Sequence, residues 1–500
     1  MATYPTPRAI LRLAALREIE RRQHDVQPPL MERAGQAAAT LALQLLDNLN
    51  GPPLIVAGPG NNGGDALVVA RLLKFKGIKP AVVFCGSAET LPADARAAHD
   101  AWIGCGGTVL EDIPEQAGKP ALVIDGLFGI GLTRPLAGRH ALLAQRINAL
   151  ACPVLALDIP SGLDSETGRV LGTAVRATHT ATFIGLKPGL LTLDGPDHCG
   201  IVSVHDLDLP IDPADGYSVA PGLFAEQLKP RARNSHKGSY GCAGILGGAP
   251  GMTGAALLAG RAALKLGAGR VYVGMLASAA GAQGQITVDP LQPELMLRHP
   301  DEIFTLATAL AVGPGLGQSD AALALLRGAI GSALPLILDA DALNLLAMHP
   351  VLARNLSRRS AATLLTPHPA EAARLLGIGI EAIQADRVAA AGALAERFQA
   401  TTLLKGCGSV IAFPDGRWFI NGSGNPGLAA AGTGDVLSGM LLALLAQGWP
   451  AEPALLAAVH LHGAAADACV AAGEGPLGLT AGELIPAARK LLNQWIVIDH

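Results

Sequence analysis

Four short apolar runs in the first 220 residues, Leu54–Ala57, Ala81–Phe84, Ala121–Ile124 and Val154–Leu157, are strand-length and bounded by Gly, Asp or Pro. Their unbroken hydrophobicity is that of strands buried on both faces, as in a parallel sheet. Residues 66–75, 93–102 and 141–150 fit helices between them, and 8–23 and 31–49 fit two more upstream. Repeated strand–helix–strand units imply a parallel sheet with right-handed crossovers, so 1–215 is expected to be a Rossmann-like three-layer α/β/α domain. The stretch 206–230, DLDLPIDPADGYSVAPGLFAEQLKP, carries four prolines and many acids; its later part, 216–230, reads as a linker. A second series follows, with strands at Ala243–Leu246, Val271–Gly274, Leu310–Val312, Leu336–Leu338, Thr363–Leu365 and Thr402–Leu404. Helices at 253–266, 320–330, 341–348, 370–376, 381–399 and 454–472 interleave with them, giving a second α/β domain over 231–500. The halves share no motif, so the chain reads as a fusion of two modules.

Composition narrows the class. The chain has 500 residues, half of them hydrophobic and only 3% aromatic, a profile of α/β proteins too large for one core. A formal net charge of −4, without a basic stripe, argues against nucleic acid as a partner. The seven cysteines lack CxxC or ligand-like spacing and read as buried thiols of a reducing compartment, without disulfides or zinc. No secretory signal is legible, and apolar runs are read as broken before about 20 residues, so no membrane span and a cytoplasmic location are expected.

The chemistry concentrates at strand ends. In Asn421–Leu437, NGSGNPGLAAAGTGDVL, the run Gly432–Thr433–Gly434 leads into an apolar helix whose first N–H groups can hold an oxyanion. Asp435 would repel phosphate there unless it takes a proton from a hydroxyl as the phosphoryl group arrives; the bland reading is a first-turn acid that complements the helix dipole. In the first half, three strand ends run into GPGNNGGDA (Gly58–Ala66), DGLFGIGLTRPLAG (Asp125–Gly138) and DIPSGLD (Asp158–Asp164). Singly each could be a glycine turn or helix cap, but together they deliver Asn62, Asp125, Asp158 and Ser161 to one place. Their oxygen-only donors suit a hard cation.

These motifs resemble two known families over nearly the whole chain. LMERAG, GNNGGD, DGLFGIGL and DIPSGLD occur in the order seen in NAD(P)H-hydrate epimerases. NSHKGSYG, GPGLG, LDADALNLL, LLTPHPAE, KGCGS and AGTGDVLSG look like the ribokinase-like NAD(P)H-hydrate dehydratases. The resemblance implies that Asn61, Asn62, Gly63, Gly64 and Asp65 bind the hydrated nucleotides NADHX and NADPHX. Gly129, Ile130, Gly131, Leu132, Thr133, Arg134 and Pro135 would embrace their phosphates, with Asp158 against the nicotinamide ring. Asn62, Asp125 and Ser161 would hold K⁺. In the second half it implies Ala255, Gly317 and His368 as substrate contacts and Lys405, Gly406, Cys407, Gly408, Ser409 and Gly434 as the adenine-nucleotide site. Asp435 would be the catalytic base, ADP the phosphoryl donor, and Mg²⁺ would sit on its phosphates, organised through water by Glu371. Lys187 is a further possible phosphate contact. His460 and His462, two apart on a helix, read as packing residues. A homo-oligomer is the expected assembly. Two positions depart from the family pattern, Ala66 after GGD and Ala431 before GTGD.

Two other readings stay open at this level: a small-molecule kinase of ribokinase-like type, and a first half that is a non-catalytic nucleotide-binding module. A kinase would release a stable phosphorylated product, whereas a repair enzyme would release phosphate and NAD(P)H.

Overall fold

The computed structural model describes residues 4–47, 49–114, 119–211, 214–276 and 287–496. The chain packs as two compact units, one of Arg8–Tyr217 and one of Ser218–His500 joined by the first residues through Pro7.

In the first unit, six parallel strands are β1 (Leu54–Ala57), β2 (Ala81–Phe84), β3 (Val123–Gly126), β4 (Val154–Leu157), β5 (His179–Phe183) and β6 (Ile201–His205). They lie in the order β2-β1-β3-β4-β5-β6. Successive strand residues point to opposite faces and enter two separate apolar clusters. Ile55, Ala57, Ile124, Leu155 and Leu157 join Leu16, Ala38, Leu67 and Trp102 from α1 (Leu13–Arg22), α2 (Leu30–Leu46), α3 (Asn61–Phe75) and α4 (Ala93–Gly104). Leu54, Val56, Val123, Val154 and Ala156 join Leu143 and Ile147 of α5 (Gly138–Ala149) on the other face. The result is a three-layer α/β/α domain. The reversal of strand order across the sheet falls between β1 and β3, where such folds bind ligands. A short antiparallel pair, Ala9 with Tyr217 and Ile10 with Gly216, ties the two ends of this segment together.

Two motif placements differ from expectation. GNNGGD is the first turn and a half of α3 rather than a loop, and Asp125 lies inside β3 rather than after it. Helix α3 can start this early because Gly63 brings its backbone hard against the preceding strand end; a Cβ there would sit 2.0 Å from the Gly58 carbonyl oxygen. Strands β5 and β6 carry His, Thr and Ser among their apolar residues, which hid them from a search for apolar runs.

The second unit has strands β7 (Cys242–Gly247), β8 (Arg270–Met275), β9 (Met296–Arg298), β10 (Ala309–Val312), β11 (Leu336–Leu338), β12 (Thr363–Leu365), β13 (Thr401–Leu404), β14 (Ser409–Ala412) and β15 (Trp418–Asn421). Their order is β15-β14-β13-β12-β11-β10-β7-β8-β9, parallel except for the hairpin β14–β15 at one edge. The switch point lies between β7 and β10. The helices that matter below are α6 (Thr253–Lys265), α7 (Ala340–Met348), α8 (Pro369–Leu376), α9 (Arg387–Phe398), α10 (Thr433–Ala446), α11 (Ala451–Ala471) and α12 (Ala481–Trp495). This is a doubly wound, largely parallel α/β architecture.

Residues 216–230 contain the strand Gly216–Ser218 and the 3-10 turns Pro221–Leu223 and Ala225–Gln227. Phe224 is fully buried, its ring 6.2 Å from that of His460 and 6.0 Å from that of Trp495. The start of the chain joins the same unit: the Tyr4 hydroxyl donates to the Trp495 carbonyl at 2.6 Å, and Gly222 N–H donates to the Pro5 carbonyl at 2.9 Å. One apolar run is longer than the sequence reading allowed. Helix α11 has the length and the mean hydropathy, 1.5, of a membrane span, yet 67% of that window is buried inside the unit, so it packs as a core helix.

Candidate active sites

At the switch point of the first unit, Asp125 is fully buried and accepts three hydrogen bonds from the DIPSG turn and its own loop. Ser161 N–H donates at 2.9 Å, the Ser161 hydroxyl at 2.7 Å and Leu127 N–H at 3.2 Å. Burial nevertheless holds its carboxyl above the usual range, against the pull of the Ser161 and Leu127 donors. The Ser161 hydroxyl oxygen also accepts from Phe128 N–H at 2.8 Å, tying the third strand end to the second. Asn62 is buried on α3, and neither its amide oxygen nor its amide nitrogen has a partner. A polar group left so in the interior costs on the order of 1–3 kcal/mol. Gly129 of the next loop passes directly over it; a Cβ there would come 3.3 Å from the Asn62 amide carbon. The rest of that loop, Gly131 and Thr133–Pro135, is exposed.

Asp158 follows β4 in the left-handed region, φ 64°, a conformation that costs a non-glycine residue energy and clusters at functional sites. Lys187 is its unforeseen partner. Its ammonium lies 2.5 Å from Asp158 Oδ1 and donates to Thr182 Oγ1 and the Phe183 carbonyl, each at 2.8 Å, with the side chain 2% exposed. The expected phosphate contact is thereby corrected: all three ammonium protons are used inside the protein. Asp65 stands near enough that burial first, and the Asp158 charge second, hold its carboxyl well above its usual range.

In the second unit, α10 starts at Gly432, whose φ of 87° turns the chain so that the next N–H groups point out of the helix end. Thr433 fixes the turn, its hydroxyl within hydrogen-bond reach of the Leu428 and Ala430 carbonyls, both at 3.0 Å. Asp435 sits in this first turn. Burial, and after it the neighbouring Asp339, raise its carboxyl to about 6, against the pull of Lys405. Lys405 reaches the same place: a Cβ on Gly434 would lie 3.5 Å from its Nζ. That ammonium pairs with Asp339 at 2.7 Å, while the other Asp339 oxygen accepts from Ser438 of α10 at 2.7 Å. Burial disfavours the Asp339 carboxylate, but Lys405 and these donors outweigh it and hold its pKa below the usual value.

Around this centre the remaining positions fall as follows. Leu258, one turn beyond Ala255 on α6, comes against Gly432. Ala255 also meets the GPGLG loop, whose Gly317 N–H donates to Asp341 of α7 at 2.8 Å. His368 caps α8, its Nδ1 accepting from Ala370 N–H at 3.1 Å. Glu371 closes the reciprocal cap by accepting from His368 N–H at 2.8 Å; its other oxygen lies 3.2 Å from His368 Nε2. The expected role of Glu371 near Mg²⁺ thus competes with a cap that already engages both oxygens. The KGCGS turn rests on Arg387, a buried guanidinium that donates to the carbonyls of Leu404 and Lys405 at 3.2 Å and of Gly408 at 3.4 Å. His462 of α11 is pushed down to about 4 by burial and is a neutral core ring, as its spacing implied.

Sequence reading passed over Asp339 and Arg387, and it named Lys187 without its partner. Asp339 stood inside the quoted motif LDADALNLL, but the partners of Asp339 and Lys187 lie 66 and 29 residues away along the chain.

Two separate centres, one at the switch point of a Rossmann-like sheet and one at a helix end in a kinase-like domain, define a two-site enzyme. The family model for NAD(P)H-hydrate dehydratase matches residues 243–487, and that for the YjeF-related protein N-terminus matches 27–189. The bifunctional NAD(P)H-hydrate repair enzymes Nnr of Escherichia coli (strain K12) and Vibrio cholerae serotype O1 are each 38% identical to this chain, over 93% of it and over 89% and 93% of their own lengths. The ADP/ATP-dependent NAD(P)H-hydrate dehydratase of Bacillus subtilis, co-crystallised with ATP/Mg²⁺, is 32% identical over 54% of this chain and 97% of its own, with a TM-score of 0.46. The chain belongs to the bifunctional NAD(P)H-hydrate repair enzymes. It joins an NAD(P)H-hydrate epimerase in its first unit to an NAD(P)H-hydrate dehydratase in its second.

Proposed function

We propose that the two centres divide one repair reaction between them, with the residue roles that follow. Hydrated NADH or NADPH carries a hydroxyl at C6, beside N1. Loss of hydroxide, helped by the N1 lone pair, flattens C6, and return from either face interconverts the R and S forms. Asp158 handles the proton of that hydroxyl, and Lys187 fixes the carboxylate for it. Asn62, Asp125 and Ser161 would hold K⁺: one carboxylate with neutral oxygens suits a singly charged ion, and the unpartnered Asn62 oxygen supports the fit. That ion would tie three strand ends together beneath the substrate. The exposed loop from Gly129 to Pro135, with Arg134, would cover the phosphates.

In the second unit, Asp435 takes the C6 hydroxyl proton as the oxygen attacks the terminal phosphoryl group of ADP, and AMP leaves. The N–H groups at the start of α10 and the Lys405 ammonium stabilise charge on the transferring group. Phosphate is a far better leaving group than hydroxide; the N1 lone pair expels it, C5 loses a proton, and the ring double bond returns. Mg²⁺ on the nucleotide phosphates would add charge neutralisation next to the acids Asp339, Asp341 and Asp435. The adenine nucleotide would lie over Lys405–Ser409. A homo-oligomer is the assembly expected.

The convergence of Asp435, Gly434 and Lys405 at one helix end carries this reading. The test is recovery of absorbance near 340 nm from an R/S mixture of hydrated NADH in the presence of ADP. Wild-type protein should convert the whole mixture, Asp435→Asn none of it, and Asp125→Ala only the S half at the normal rate. Full conversion by Asp435→Asn would sink the assignment. Unchanged epimerisation in K⁺-free buffer would make the first cluster structural.

A further inference from the structure

A groove of about 470 Å³ opens between α7 and α8, lined by Gln318, Asn344, Ala347, Met348 and Arg374. It has the size of a small-molecule site and the mixture such sites use, an apolar wall with a few convergent polar groups. Asn344, Ala347 and Met348 are three to four residues apart on α7 and share one helix face. Asn344 Oδ1 accepts from the Arg374 guanidinium at 2.8 Å, which aims that cation across the groove while leaving it several donors.

The groove adjoins the dehydratase centre. Gln318 follows Gly317, whose N–H is held by Asp341, one turn before Asn344 on the same face of α7. Arg374 is one turn beyond Glu371 on α8, and its charge is among those that hold His368 below its usual pKa, after burial and Lys405. A ligand seated with its reacting ring by Gly317 and His368 can extend over Met348 and toward Arg374.

We propose that this groove takes the adenosine end of the hydrated dinucleotide, with Arg374 binding one of its phosphates; this rests on the dehydratase reading above. Met348 and Ala347 offer an apolar surface for adenine, and Met348 is 53% exposed. The Gln318 and Asn344 amides can donate to and accept from the base edge. An arginine forks onto phosphate more effectively than any other side chain. The phosphate it binds is either the pyrophosphate, common to both hydrates, or the 2′-phosphate of NADPHX.

The experiment compares full-length wild-type protein with Arg374→Gln and Arg374→Lys on the S forms of NADHX and NADPHX, at saturating ADP. Arg374→Gln should raise KM for hydrate about tenfold, keep kcat within about twofold and leave KM for ADP unchanged, with Arg374→Lys in between. An equal rise for both hydrates assigns the pyrophosphate to Arg374, and a rise confined to NADPHX assigns the 2′-phosphate. Unchanged KM for both, or a fall in kcat alone, overturns the proposal. Calorimetric titration with ADP-ribose and its 2′-phosphate, in the presence of ADP, reads the groove independently of turnover. If wild-type protein and Arg374→Gln bind both probes equally, the groove is not this subsite, whatever the hydrate assay gives.

Discussion

In the proposed reaction Asp435 and Asp158 each handle a hydroxyl proton, the first set by burial and the second held by an ion pair. Asp435 is raised to about 6 by burial and by Asp339, so it is protonated, and useless as a base, below that pH. Dehydration measured as kcat/KM should rise about tenfold per pH unit up to about 6 and level off above it. Epimerisation should not share that limb; if it does, the profile belongs to the substrate and not to Asp435. Asp158 instead leans on Lys187. Removing one partner of such a buried pair leaves an uncompensated charge and costs about 3–5 kcal/mol. Lys187→Met should therefore abolish epimerisation and lower the melting temperature of the first unit, read by scanning calorimetry, while dehydration of the S hydrate continues. Normal epimerisation by this variant would remove Lys187 from the site. Asn62, Asp125, Asp158 and Asp435 were legible in sequence because each lies beside an apolar run and near glycines. Lys187 was legible only as a lysine near a strand end, since nothing local says that its ammonium turns inward.

At the scale of elements, one buried guanidinium holds the KGCGS turn. Nη2 of Arg387 on α9 donates to three carbonyls around it. Arg387→Met should raise KM for ADP about tenfold in the 340 nm assay and change KM for hydrate little, with Arg387→Lys recovering only part, because an ammonium lacks the planar fork of a guanidinium. Equal effects on both constants would mean that α9 merely stabilises the unit. Strand positions were readable here to within a residue or two where both faces are buried, as in β1, β2, β4 and β11. The hairpin β14–β15 and strands β5, β6 and β9 were not, because edge or mixed-polarity strands carry no continuous apolar run. The start of α3 was also hidden: glycine and asparagine disfavour helix, and only close packing against Gly58 and Met31 makes them its first turn.

At the scale of the whole molecule, two compact units with separate cores and centres should work apart. A fragment of Arg8–Tyr217 is expected to interconvert the hydrates, and Ser218–His500 to dehydrate only the S form. Consumption of both epimers at one rate by the second fragment would leave the first without a purpose. That second fragment lacks Tyr4 and Pro5, and with them two hydrogen bonds worth about 0.5–1.5 kcal/mol each, so it should melt a few degrees below the same unit in the full chain.

The Tyr4–Trp495 contact also imposes an order of birth. Its two ends are 491 residues apart, so it closes only after Trp495 has been made. The epimerase unit is complete once Tyr217 has left the ribosome, and at ordinary elongation rates roughly 15–60 s then pass before Trp495 follows. During that interval the nascent chain carries one finished catalyst and holds its first few residues in reserve. They can be claimed only by a helix not yet made.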